Sequence, residues 1–424
     1  NASYTYDDKY VLSGSIRWDR SNLWGTNSKY QNKPLWSVGG SWNIYKEKFF
    51  QADFVDMLKL RASYGIGGNI GRNTAPYLIA SYYDSSLVDG MAGSVNTPPN
   101  KDIRWEKTTT VNVGVDFALF RHRLSGTIEY YNKYSVDLLA AINGSPTQGF
   151  GYTTLMTNNG KMVNRGVEIT LSGEIIRQKD FSWNASLLYA FNRNKVKHIS
   201  VQPSLWDSRI SMPTSYPMVG KPLYGIYAYK WAGLNENGDP QVYDAENNVT
   251  SGPARDYHAL VYCGTTVPIH NASLTNVLRY KGFEFSAMLI LDAGHKLRSS
   301  NIPSINMSNG RITSTAKGIV DRWTQPGDVT DVPRLLFSND TENFNTHRTE
   351  LYRYSDLFVY DASNIRLSNI SLAYRVPAHW CKKISLSGAR LQFNVENVAT
   401  FAFDSKANYD LGGKVKPNYV WGCL

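Results

Sequence analysis

Val111-Asn112-Val113-Gly114-Val115-Asp116-Phe117-Ala118-Leu119, then Arg121-His122, then Leu124-Ser125-Gly126-Thr127-Ile128-Glu129-Tyr130, is the stretch that decides the fold. In the first run Val111, Val113, Val115, Phe117 and Leu119 fall on one side, and Asn112, Gly114 and Asp116 on the other. The second run sets Leu124, Ile128 and Tyr130 against Arg123, Ser125, Thr127 and Glu129. Side chains of an extended chain alternate between the two faces of a sheet, so a period of two means a strand with one apolar face. Two such runs joined by a short polar turn predict an antiparallel hairpin.

The same period extends in both directions. Leu58, Leu60, Ala62, Tyr64 and Ile66 alternate with Lys59, Arg61, Ser63 and Gly65. Twelve segments read this way: 9–20, 33–45, 57–66, 107–120, 122–134, 163–177, 180–194, 271–281, 282–293, 362–376, 383–396 and 415–424. The fold class is therefore all-β. Many of these segments exceed the usual length of a globular strand and match the roughly 9–11 residues a tilted strand needs to cross a bilayer. Parity switches near Ser368 inside 362–376, which predicts a β-bulge.

Connection lengths add direction. Arg121-His122, Arg177–Asp180, Lys281-Gly282 and 377–382 are short, whereas 67–106, 135–162, 195–270, 294–361 and 397–414 are long and rich in Gly, Pro, Asn and Ser. Short and long alternate after residue 46. A transmembrane antiparallel β-barrel has short periplasmic turns and long extracellular loops, and the pattern predicts one. Aromatics near strand ends (Tyr10, Trp18, Trp36, Trp42, Tyr130, Trp183, Tyr189) fit interfacial girdles. On this reading Leu58, Leu60, Val113, Val115, Leu124, Ile128, Ile169 and Leu171 face lipid, and Lys59, Arg61, Arg123, Glu129 and Glu168 line the lumen.

The bulk numbers agree and exclude several classes. Of 424 residues 13% are aromatic, 28 of them Tyr, and only 19% are charged. The net charge of +10 is spread singly, without a Lys/Arg run, so no nucleic-acid partner is expected. Three cysteines (Cys263, Cys381, Cys423) are too few for a disulfide framework, although a Cys263–Cys381 bridge is open in an oxidising compartment. No run is long and apolar enough for a transmembrane helix, and no signal peptide opens the sequence.

Motifs for chemistry are weak. Gly65-Ile66-Gly67-Gly68-Asn69-Ile70-Gly71 misses G-x-G-x-x-G by one residue and precedes no βαβ unit. The histidines (His122, His198, His258, His270, His295, His347, His379) never recur at metal-ligand spacing, so no enzyme activity and no cofactor are expected. Asp328 and Asp331 are a weak calcium candidate, though an Asp/Gly-rich turn is the simpler meaning. Loop aromatics Tyr82, Tyr83, Trp206, Tyr216, Tyr224 and Trp231, with Tyr227 and Tyr229, could stack on sugar rings or peptide side chains. They could equally pack the loops into a lid.

Several runs resemble the barrel of SusC/RagA-type TonB-dependent transporters. They are Tyr6-Asp7-Asp8-Lys9-Tyr10-Val11-Leu12-Ser13-Gly14-Ser15-Ile16-Arg17-Trp18-Asp19, Trp36-Ser37-Val38-Gly39-Gly40-Ser41-Trp42, Leu60-Arg61-Ala62-Ser63-Tyr64-Gly65 and Trp105-Glu106-Lys107-Thr108-Thr109. Later come Asn164-Arg165-Gly166-Val167-Glu168-Ile169, Arg322-Trp323-Thr324 with Asp331-Val332-Pro333-Arg334, Asn364–Tyr374 and Asn394-Val395-Glu396-Asn397. The resemblance implies the last twelve or so strands of a 22-stranded plugged barrel, with residues 1–424 forming the C-terminal portion of a single barrel domain. It further implies the outer membrane of a Gram-negative bacterium, a SusD-like surface lipoprotein, TonB with its inner-membrane motor, and import of oligosaccharides or peptides. Measured against that pattern the sequence lacks the TonB box, the plug and the early strands, and it ends at Leu424 without a terminal aromatic. Such a half would leave unpaired strand edges in lipid. The alternatives are a secreted, soluble, β-rich carbohydrate-binding protein, a glycoside hydrolase lacking any convincing carboxylate pair, and a siderophore transporter of the same architecture.

Overall fold

The computed structural model describes residues 1–19, 27, 34–69, 71, 76–87, 90–144, 147, 154–203, 207–252, 256–307, 315–337, 346–383, 385–412 and 418–423. Thirteen strands form one antiparallel sheet in unbroken chain order. They are β1 (Ala2–Tyr6), β2 (Tyr10–Arg17), β3 (Leu35–Asn43), β4 (Val55–Asn69), β5 (Glu106–Leu119), β6 (Leu124–Asn143) and β7 (Thr154–Arg177). The rest are β8 (Phe181–His198), β9 (His270–Tyr280), β10 (Phe283–Ala293), β11 (Asn364–Arg375), β12 (Arg390–Ala402) and β13 (Asn418–Cys423). The twelve expected strands are β2 to β13. The additional β1 pairs with β2 through a three-residue connection, Asp7 to Lys9, in which Asp7 and Asp8 both take φ 50° and Lys9 N–H donates to Tyr6 O at 3.0 Å. Positive φ at both central positions gives a turn whose twist matches the paired strands.

Short connections join β1–β2, β5–β6, β7–β8 and β9–β10, and somewhat longer ones β3–β4 and β11–β12, all at one end; every other connection lies at the opposite end. Two expected boundaries move. Most of the loop placed at 135–162 is strand, because β6 runs on to Asn143 and β7 starts at Thr154. The turn placed at 377–382 is longer, holds a helix over Ala378–Lys383, and delays β12 to Arg390. The bulge at Ser368 is present: Met288 pairs with Asn369 and Leu289 with Leu367, so both ladders skip Ser368.

Register fixes the two faces. Leu60, Val115, Ile128, Ile169 and Tyr189 are successive partners across five strands, and Leu58, Phe117, Gly126, Leu171 and Leu187 form the row beside them. This face is apolar and much of it is exposed, including Leu12, Ile16, Val38, Leu60, Val113, Ile128, Leu274, Leu289 and Leu372. An exposed apolar surface of that extent calls for a non-aqueous neighbour. Rings gather at its margins: Tyr10 stacks on Trp42 at 6.4 Å, Trp36 meets Tyr64 at 5.6 Å, and Phe283 meets Tyr374 at 4.5 Å.

The other face holds the charge. Arg61 lies between Asp116 and Glu129, pairing with both, and Thr127 Oγ1 donates to Asp116 at 3.0 Å. Further along, Glu284 pairs with Arg279 at 2.7 Å and Arg390 at 3.1 Å. Lys59, Arg61, Glu129 and Glu168 therefore stand on the lumenal side, as their parity predicts. No described helix is long and apolar enough to cross a membrane. Cys263 and Cys381 are both free thiols, so the bridge left open by the sequence is not formed.

Candidate functional site

Beyond the outer ends of β8 to β11, the described residues of the connections 199–269 and 294–363 fold together into a cap with its own core. Tyr227, Tyr229, Val242, Ala259, Leu260 and Leu351 are buried against one another, flanked by Trp231, Tyr262 and Tyr354. A second cluster joins Ile305, Tyr352 and Phe358 and shares Trp231 with the first. Short ladders supply the frame: Gly225–Tyr229 pairs with Leu260–Thr265, and Trp231–Leu234 with Pro240–Tyr243. Burial pushes the hydroxyls of Tyr229 and Tyr352 well above the usual phenol range, so both stay protonated.

Polar ties sew the two connections together. Asp239 accepts from Arg334 Nη2 at 2.8 Å and from Arg348 Nε at 3.1 Å. Arg348 is 3% exposed and also donates to the carbonyls of Ile305 at 3.1 Å and Arg334 at 2.7 Å. Arg298 donates to Tyr227 O at 2.7 Å and to Ser355 O at 3.2 Å. A carboxylate shared by two guanidiniums, with backbone acceptors for the remaining donors, offsets the cost of desolvating the arginines. The motif residues 322–324 and 331–334 belong to this seam. Trp323 N–H donates to Val332 O at 2.8 Å, and the Trp323 ring lies so close to Gly238 that a Cβ there would meet it at 2.4 Å.

Where the cap meets the wall there is a cleft of about 310 Å³. Leu138, Met156, Met162, Val196, Pro217 and Leu223 give it apolar walls, and Glu106, Lys161, His198 and Ser215 its polar points. This volume is at the lower end of small-ligand sites. Glu106 is anchored by Leu139 N–H at 2.9 Å and Asn69 Nδ2 at 3.0 Å. None of these apolar lining residues belongs to a sequence motif, and all lie in the two stretches that read as loops, 135–162 and 195–270.

The aromatic candidates separate into groups. Tyr216 is 7% exposed, and Trp231 is held by Asp331 (Nε1 to Oδ1, 3.0 Å) and Asp356 (backbone N–H, 2.9 Å), so both serve cap packing. Tyr224 is half exposed on the cap surface. Tyr82 and Tyr83 stand out on a separate hairpin, Ile79–Ser85 against Gly90–Thr97, at 72% and 53% exposure. Trp206 lies outside the described residues. Sequence reasoning missed Arg209, buried beneath the aromatics with its guanidinium 4.9 Å from the Tyr257 ring and 5.9 Å from that of Tyr227.

Asp328 and Asp331 do not converge on a metal. Asp328 Oδ2 accepts from Thr324 N–H at 2.7 Å, Thr324 Oγ1 at 2.8 Å and Gln325 N–H at 3.0 Å. Those bonds hold the carboxyl below its usual range and make it the lock of a turn. No group of three or more His, Cys, Asp or Glu among the described residues is placed to hold a metal ion.

With a wall apolar on one face, an ionised opposite face and a cap at one rim, residues 1–398 match the TonB dependent receptor-like, beta-barrel family. The chain belongs to the TonB-dependent receptor β-barrel family. It is an outer-membrane barrel, which excludes the secreted soluble alternative. Among curated relatives, TonB-dependent receptor P3 of Formosa agariphila is 27% identical over 96% of this chain and 41% of its own. TonB-dependent receptor SusC of Bacteroides thetaiotaomicron is 25% identical over 93% of this chain and 39% of its own. Among solved structures, the RagAB peptide transporter superposes with a TM-score of 0.80 at 23% identity, covering 99% of this chain and 46% of that one. The receptor barrel described here therefore spans less than half the length of these relatives.

Proposed function

We propose that residues 1–424 are the C-terminal portion of one barrel domain in a TonB-dependent importer, and that this portion supplies much of its outer vestibule. On this reading substrate enters beside the cap, rests in the cleft bounded by Met162, Val196 and Leu223, and descends past the polar face carrying Arg61, Asp116 and Glu129. A SusD-like surface lipoprotein would deliver it, and TonB with its inner-membrane motor would drive release into the periplasm. Oligosaccharides or peptides are the substrate classes, and Tyr82, Tyr83 and Tyr224 are the exposed rings that would stack on them. The observation that carries the reading is the cleft itself, which lies between β6, β7 and β8 and loop residues such as Ile199, Ser215, Pro217 and Leu223 and combines apolar walls with polar points.

The test is uptake by cells expressing the full-length transporter with Met162→Trp, which fills the cleft. Uptake of the growth-supporting glycan or peptide should fall at least about tenfold at unchanged surface abundance, since a blocked site loses its whole contact set. Unchanged uptake by that variant would remove the cleft from the substrate path. Purification from detergent-extracted outer membranes, with mass spectrometry of co-purifying chains, tests the lipoprotein; its absence from the wild-type complex would refute that partner.

A further inference from the structure

The membrane-facing side of the sheet carries one group of cations that no part of the import reading uses. Arg165 on β7 is the direct cross-strand partner of Arg193 on β8, and Lys195 lies two residues beyond Arg193 on the same face. All three are exposed. Like charges directly opposite one another destabilise a ladder. Arg165 Nε donates to Asn132 Oδ1 at 3.0 Å. Their neighbours on that face are Asn132, Tyr134, Val163, Val167 and Phe191.

Depth gives the group a meaning. Trp183 marks the periplasmic margin of β8, and Arg193 lies ten residues further along the same strand. Ten residues are about what a tilted strand needs to cross the hydrocarbon, which sets the three cations at the outer headgroup level. Directly below them runs the apolar row Tyr130, Val167 and Phe191. A site with apolar contacts below and two guanidiniums plus an ammonium above matches a phosphate attached to acyl chains. Arginine favours phosphate by forked, charge-assisted hydrogen bonds.

We propose that Arg165, Arg193 and Lys195 seat the phosphorylated headgroup of an outer-leaflet glycolipid on the outside of β7 and β8. The phosphate neutralises the Arg165–Arg193 repulsion, and its acyl chains lie along Val167 and Phe191. The bound lipid thereby braces the two strands that lead into the cap.

The experiment uses the detergent-purified, full-length transporter and three probes: monophosphoryl lipid A, the same lipid dephosphorylated, and inorganic phosphate. Native mass spectrometry should find the phosphorylated lipid bound roughly a hundredfold more tightly than its dephosphorylated form, the preference expected of three basic residues at a membrane surface. The triple variant Arg165→Gln/Arg193→Gln/Lys195→Gln should lose that preference, and Arg193→Gln alone should lose part of it. Inorganic phosphate in excess should not displace the lipid. Equal binding of the two lipids by wild-type protein would overturn the proposal even if the triple variant failed to fold. So would a preference that survives in folded variants, or full displacement by inorganic phosphate, which would mark a free-anion site.

Discussion

Val115→Arg is the substitution that most directly probes which face meets lipid. Val115 lies on β5 between Leu60 and Ile128, in a row that continues through Ile169 to Tyr189, four residues above the periplasmic end of its strand at Leu119. No acidic side chain stands in that row, so an arginine there must be buried in hydrocarbon or reach for an interface. A charge at the midplane of a barrel's lipid face costs about 2–4 kcal/mol, falling to about 0–1 near the interfaces. At roughly 1.4 kcal/mol per factor of ten, the folded-to-unfolded ratio drops by about 30-fold to several hundredfold. Ser63→Arg is the matched control: Ser63 faces the opposite side, in an open cleft beside Ser13, Gly39 and Asn112, where a charge is hydrated. The assay is urea unfolding of the full-length transporter in lipid vesicles, with folded barrel followed by its heat-sensitive gel mobility. The Val115→Arg midpoint should shift by its free-energy cost divided by the urea slope, while Ser63→Arg stays near wild type. Equal midpoints for the two variants would refute the assignment of faces.

The cap offers three further tests. Asp239→Asn removes the charge shared by Arg334 and the buried Arg348, so it should destabilise the cap by about 3–5 kcal/mol; faster hydrogen exchange at Tyr227–Tyr229 and Leu351–Tyr354, with the barrel amides unchanged, is the expected readout. Gly238→Ala places a methyl 2.4 Å from the Trp323 ring at φ +74°, and it should loosen the same amides by more than about 1 kcal/mol, with wild-type exchange arguing against the seam as described. The third is a pH dependence. Burial raises the Asp361 carboxyl, but hydrogen bonds from Ser363 and the ion pair with Lys296 at 3.0 Å outweigh it and hold the group at about 2, below its ordinary 3.8. Because the folded value is depressed, the contact's stabilisation is complete above 3.8 and is lost as pH falls towards 2. Protection of the ladder Lys296–Arg298 with Val359–Asp361 should therefore persist at pH 4 and decline below it, and Asp361→Asn should remove that step.

Fold was legible wherever one strand face met lipid and the other water. Val111–Leu119 and Leu124–Tyr130 alternate because each crosses the membrane, and the register rows bear out the parity they predict. Legibility failed where that asymmetry ends. Asn158, Asn159, Gly160 and Lys161 lie in β7 above the apolar band, so their sequence carries no period of two and reads as loop. The five residues of β1 escape for a different reason: Tyr4 and Tyr6 do alternate with Ser3 and Thr5, but five residues fall short of a bilayer crossing, and Asp7-Asp8-Lys9 is a less familiar hairpin connection than a two-residue Asn-Gly.

The site was far less legible than the wall, and the cap shows why. Tyr216, Tyr224, Tyr227, Tyr229 and Trp231 are equivalent in sequence: bulky rings in a Gly- and Pro-rich connection. Their roles are set by contacts across long separations, such as Arg298 Nη2 to Tyr227 O and Trp231 Nε1 to Asp331 Oδ1. No local pattern encodes those pairings, so a ring that braces the cap and a ring offered to a ligand look alike until burial separates them. The same holds for the cleft, whose apolar walls come from β6, β7, β8 and the segment 199–223. Met162 and Leu223 are far apart in the chain and unremarkable in composition. They become neighbours only because β7 and β8 carry their pairing beyond the membrane, to Lys161 and His198, and so hold the wall upright beneath the cap. Strand extension above the lipid, the feature that hides from a period-two reading, is thus what builds the cleft; on the proposed import reading a substrate-altering change should fall on those extensions more often than on the alternating segments below.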